Sequence, residues 1–190
     1  MQNSEQGSYP HDACPIHSEY RQQGTNSPQC HLEFDSCMGI SVHDITISST
    51  SDNPKPKAFT SRTPRMSSSV LLTSPVTGCS NVYMHNVNCS PGHDISIGGL
   101  QRDNTKTCVS TSTFRDVNIH NTMTGIRIKT RQGASGFMQG VMFSNIQVSE
   151  VQFPMMIDQF YCDKSSCKNQ SSSVGLSRIT YESIRGTYTV

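Results

Sequence analysis

The chain has 190 residues, a formal charge of +1, 33% hydrophobic residues and no tryptophan. That length holds one domain or part of a larger one, and the near-neutral charge leaves no footprint for nucleic acid or an anionic membrane. So polar a chain does not build a helix bundle around one large core. It suits a β architecture with many short buried stripes and polar turns, and it has no apolar run long enough to span a bilayer.

The opening stretch, "MQNSEQGSYPHDACP", contains no apolar segment, so no signal peptide is expected there. Residues 1–25 read as an irregular or disordered N-terminal segment, and the domain is expected over 26–190. The eight cysteines, at 14, 30, 37, 79, 89, 108, 162 and 167, form no paired CxxC knuckles. Zinc is therefore not expected. Disulfides are favoured over free thiols, which implies an oxidising compartment. Cys162 and Cys167 bracket the polar loop "CDKSSC" and are spaced to close on each other. Glycosylation sequons at Asn88 and Asn169 are compatible with secretion; Asn88 falls inside a strand pattern, so Asn169 is the better acceptor.

From residue 40 onward one alternating phrase returns: "ISVHDITIS" at Ile40, "VYMHNVNCS" at Val82, "TFRDVNIHN" at Thr113, "VMFSNIQVS" at Val141 and, more loosely, "SRITYESIR" at Ser177. Its polar positions Asp44, Asn86, Asp116 and Asn145 line up, with intervals of 30 and 29 residues between the last three. A second phrase travels with it, as "HDISIG" at His93, "TGIRIK" at Thr124 and "PMMIDQ" at Pro154. Alternation with a period of two predicts strands, and strand pairs recurring at a fixed interval predict a solenoid whose coils bury their stripes by stacking. The expected fold is all-β, a right-handed parallel β-helix truncated at both ends, with a Greek-key sandwich as the alternative. The 42 residues from Asp44 to Asn86 are too many for one coil and too few for two, so an irregularity is expected there, and 51–78 reads as degenerate. An uncapped solenoid also exposes an open sheet edge.

On stacked strands, Ile126 and Ile128 of "GIRIK" turn inward, so Arg127 and Lys129 project outward together. One coil earlier Ser96 aligns with Arg127, and the Gly-Pro-flanked His93 stands at the turn just before it. A guanidinium fork, a mobile ammonium and an imidazole on one wall make a subsite for a carboxylated ligand.

Three of these stretches, "NCSPGHDISIGG", "TMTGIRIKTRQGASG" and "IDQFYCDKSSCKNQSS", together resemble the plant polygalacturonases of glycoside hydrolase family 28. The resemblance runs from about Asn26 to the C-terminus, in a chain much shorter than a complete family domain. It implies a right-handed β-helix that hydrolyses α-1,4 bonds of homogalacturonan, the acidic backbone of pectin, with inversion and without a metal. It implies a secreted, cell-wall protein, expected as a monomer. By the same resemblance His93 is the active-site histidine, Arg127 and Lys129 bind galacturonate carboxylates, and Tyr161 is a cleft tyrosine.

The chain also departs from that pattern. The family's catalytic carboxylates lie in an NTDG and a GDDC turn before the Gly-His turn, whereas "SDNPKPKAFTSRTPRMSSSVLLTSPVTGCSN" contains neither, and its only acid is Asp52. Inverting hydrolysis needs one acid to protonate the leaving oxygen and a second carboxylate to activate water. The resemblance therefore implies impaired turnover, with a non-catalytic oligogalacturonate-binding β-helix or a non-functional truncated product as alternatives. Asp94 replaces the family's Gly and is expected to repel an anionic sugar. Arg131 replaces a Trp, and Cys89 loses the partner that the family places in the GDDC turn.

Overall fold

The computed structural model of the protein describes residues 30–35, 37–47, 67–73, 79–100, 106–161 and 173–189. Outside them lie residues 1–25, Asp52, most of the 51–78 interval, the Cys162 and Cys167 loop and Asn169, together with the expectations placed on each.

Strands alternate between two parallel sheets as the chain advances. The first sheet contains β1 (Cys30–Asp35), β3 (Ser67–Thr73), β6 (Gly92–Leu100), β8 (Thr124–Arg131) and β10 (Phe153–Tyr161), hydrogen-bonded in that order. The second contains β2 (Ser41–Ile47), β5 (Tyr83–Cys89), β7 (Lys106–His120), β9 (Ser135–Val151) and β11 (Ser173–Tyr188), while the short β4 (Cys79–Ser80) pairs with β7. Each coil thus adds one strand to each sheet in parallel register, and the architecture is the parallel β-helix expected from the repeat. Among the described residues there is no helix.

The core consists of columns, because equivalent residues of successive coils stand directly above one another. Val42, Met84, Phe114, Phe143 and Tyr181 form one column by register. Within it the Phe114 and Phe143 rings stack at 4.9 Å, and those of Phe143 and Tyr181 at 5.1 Å. Ile45, Val87, Val117, Ile146 and Ile184 form a second column. The middle members of both are buried, while the outer ones are only partly so. This gradient is what a stacked core requires, since a stripe leaves water only when covered from both sides. On β10, Met155 and Ile157 take the register of the buried Ile126 and Ile128 yet remain 49% and 50% exposed, as no described strand lies beyond them.

The turns explain why short polar residues recur. Asp44, Asn86, Asp116, Asn145 and Ser183 all adopt positive φ, between 50° and 56°. A second set of corners, five residues earlier in each coil, comprises Gly39, Asn81, Thr111, Gly140 and Arg178. The left-handed conformation is costly for most residues but tolerated by Gly, Asn and Asp, so the sequence phrase marked the first set and missed the second, where Thr111 and Arg178 disguise it. Side chains also bond up the first ladder: Asn86 Nδ2 donates to Asp44 Oδ1 at 2.6 Å, and Asn145 Nδ2 donates to Asp116 Oδ1.

The bond between Asp44 and Asn86 settles the irregular interval. Although 42 positions apart in the chain they are direct neighbours, so one enlarged coil separates them. Within the 51–78 interval, Ser67–Thr73 forms β3 and fills the first sheet between β1 and β6.

The cysteines divide. Cys108 is disulfide-bonded. The sulfurs of Cys37 and Cys79 stand 2.6 Å apart on adjacent coils. Cys89 is a buried thiol whose pKa burial pushes up to about 12. Asn88 is half-buried within β5 and accepts a bond from Asn118 Nδ2 at 2.8 Å, a poor position for a glycan.

Candidate substrate-binding site

The site is built on three neighbouring strands of the first sheet. Ile95 and Ile97 of β6 register with Ile126 and Ile128 of β8, and all four are buried. Strand alternation then turns Asp94, Ser96 and Gly98 outward on β6, and Arg127, Lys129 and Arg131 outward on β8. Ser96 is the register partner of Arg127, as its spacing predicts. On β10, Met156 stands beside Arg127 and Asp158 beside Lys129.

Tyr161 reaches this face through a break in register. Asp158 pairs with Lys129 but Tyr161 pairs with Arg131, so β10 spends three residues where β8 spends two. An extra residue of this kind reverses which face the following side chains occupy. A matching shift occurs on β6, between Ile97 and Leu100. The two irregularities flank the cationic stretch from both sides.

The three cations surround the Tyr161 ring. Arg127 Cζ and Lys129 Nζ each lie 5.3 Å from its centroid, and Arg131 Cζ lies 6.0 Å away. These separations fall within the reach of cation–π attraction. Two carboxylates among the described residues join the cluster. Arg127 Nη2 donates to Asp158 Oδ2 at 3.2 Å, and the Phe160 backbone N–H donates to the other Asp158 oxygen at 3.1 Å. Lys129 Nζ stands 4.0 Å from Asp94 Oδ2. Both cations are well shielded, with side-chain exposures of 15% for Arg127 and 13% for Lys129, and Asp94 is buried. Ser96 Oγ, beneath this wall, is buried with no hydrogen-bond partner among the described residues.

Two glycines make the arrangement sterically feasible. A Cβ on Gly98 would come within 2.7 Å of both Cβ and Cε of Lys129, so the lysine stem lies against bare backbone. A Cβ on Gly125 would lie 2.5 Å from the Pro154 carbonyl oxygen, so β8 and β10 approach closely only because that side chain is absent.

Of the residues singled out from sequence, Arg127, Lys129 and Tyr161 are therefore brought together. The His93 backbone lies in β6, two residues before Ile95, while its imidazole lies outside the described residues. Sequence reasoning overlooked Asp158 and Gly98, although an acid one strand away from an outward Arg-x-Lys pair was a usable signal for the first. Asp94, expected to repel an anionic sugar, also faces the Lys129 ammonium. Among the described residues no group of His, Cys, Asp and Glu side chains could hold a metal ion.

A fork-shaped cation, a mobile cation and an aromatic face on one β-helix wall are suited to an acidic sugar. In comparison with known proteins, the pattern of the glycosyl hydrolases family 28 matches residues 22–190. The chain belongs to glycosyl hydrolase family 28. Its family relatives include a polygalacturonase of Cryptomeria japonica, 36% identical over 171 residues, which are 85% of this chain and 33% of that protein. Polygalacturonase-2 of Solanum lycopersicum is 35% identical over 85% of this chain and 37% of its own length. Polygalacturonase QRT2 of Arabidopsis thaliana is 34% identical over 85% of this chain and 39% of its own length. The chain thus spans between a third and two-fifths of these family 28 relatives.

Proposed function

We propose that this chain carries the polymer-binding wall of a pectin-hydrolysing polygalacturonase. In this reading Arg127 and Lys129 recognise the carboxyl groups of α-1,4-linked galacturonosyl residues, Tyr161 lies against a sugar face, and His93 stands at the scissile bond. The protein acts on homogalacturonan in the cell wall, as a secreted monomer and without a metal or cofactor. The convergence of Arg127 and Lys129 on the Tyr161 ring, each at 5.3 Å, carries this reading. The polygalacturonase names of the relatives support it.

Turnover by this chain is weak in the same reading. Each general acid or base contributes about a hundredfold to ten-thousandfold in rate, and neither acidic turn of the family occurs in the sequence. Loss of both lowers hydrolysis by roughly four orders of magnitude or more. His93 cannot take both roles, since one imidazole does not reach both faces of the bond.

Retention on immobilised pectin, together with release of reducing sugar from polygalacturonate, tests the proposal. The expected result is retention that is lost in Arg127→Ala, with sugar release far below that of an intact polygalacturonase. Passage of the folded wild-type chain through the column without retardation would overturn it.

A further inference from the structure

We infer that Asp94 makes the Lys129 position select a methyl-esterified, uncharged galacturonosyl residue over the free acid. The inference rests on the pectin-binding reading above and deepens it.

Lys129 does not present a bare ammonium to the cleft. Its stem is laid across Gly98, and its Nζ is 4.0 Å from the carboxylate of the buried Asp94. A buried carboxylate is unfavourable without a cation nearby, so Asp94 and Lys129 hold one another. A sugar carboxylate drawn to Lys129 would have to settle beside Asp94, and two carboxylates sharing one ammonium repel. It would also leave Asp94 partly uncompensated if it pulled the ammonium away.

A methyl ester meets neither obstacle. Its carbonyl oxygen accepts a hydrogen bond from Lys129 Nζ without bringing charge, and the ammonium keeps its contact with Asp94. The next coil repeats the same balance, because Arg127 is paired with Asp158, itself anchored by the Phe160 N–H. Against the three cations around Tyr161 stand two carboxylates among the described residues, so most of the positive charge is already answered within the protein. The Tyr161 ring still offers a flat face, and that contact does not distinguish acid from ester.

The test measures calorimetric affinity for galacturonate oligomers of one length, either fully de-esterified or fully methyl-esterified, at one pH and ionic strength. The expected wild-type result is binding about tenfold tighter to the ester. Asp94→Asn is expected to remove that preference by strengthening acid binding about tenfold, with a much smaller change in ester binding. Tighter wild-type binding to the free acid overturns the inference and leaves the pectin-binding reading standing. So does an Asp94→Asn variant, folded by circular dichroism, that shifts both affinities equally. If folded wild-type protein binds neither oligomer, the pectin-binding reading itself fails. Should Asp94→Asn not fold, the wild-type preference between the two ligands decides alone.

Discussion

The Lys129 side chain lies so flat across Gly98 that a Cβ at 98 would approach two of its carbons to 2.7 Å. The glycine belongs to one coil and the lysine to the next, so the position of the proposed binding group is set by a residue on the neighbouring coil. Gly98→Ala is expected to lift Lys129 off the wall and weaken binding of the methyl-esterified oligomer about tenfold. The obstacle is a flexible side chain, so stability should change by less than about 1 kcal/mol. Paired binding isotherms and urea melts would show the separation.

Gly125→Ala should do the reverse. Its Cβ would meet a backbone oxygen of Pro154 at 2.5 Å, and backbone cannot swing aside as a lysine stem can. The expected cost is about 1–3 kcal/mol of unfolding free energy, with β10 pushed away from β8. A lowered urea midpoint at unchanged m-value would record it.

The aromatic column gives a third prediction. Phe143 is fully buried between the rings of Phe114 and Tyr181, at 4.9 and 5.1 Å. Phe143→Ala should cost about 3–5 kcal/mol. Tyr181→Ala should cost less, because Tyr181 is only half-buried. Equilibrium denaturation ranks the two, and equal losses would contradict burial by stacking.

Acid sensitivity should originate in the turn ladder. Hydrogen bonds from Asn86 and His43 hold the Asp44 carboxyl below its ordinary range, and the bond from Asn145, aided by Arg115, does the same for Asp116. A carboxyl whose folded pKa is depressed stabilises the fold above its unfolded pKa of about 3.9, and that contribution is lost as pH falls through the folded value. Thermal midpoints should therefore be insensitive to these groups near neutrality and decline below about pH 4. Asp116→Asn should flatten that decline, because an amide at this position does not titrate.

Cys37 and Cys79, with sulfurs 2.6 Å apart, are placed to be joined under a disulfide oxidant such as oxidised glutathione. Two thiols would give up two electrons and two protons to the oxidant. Closing the 42-residue interval should stabilise the fold by about 4 kcal/mol. Peptide mapping without reductant should find the linked pair, and dithiothreitol should lower the melting temperature.

Residue alternation along the chain was enough to specify the β-helix and the wall. Alternation with a period of two leaves only one face for Ile126 and Ile128, so Arg127 and Lys129 had to share the other. The return of Asp and Asn at matching intervals marked the left-handed corners, because few other residues turn there cheaply. Stacking decided the rest. That Asp44 and Asn86 are neighbours across 42 positions, that a bulge turns Tyr161 outward, and that Asp94 meets Lys129 are relations between coils. Chain order does not encode the register between two coils when the loop joining them varies in length. Only the buried columns, by closing against one another, bring these side chains to the same height.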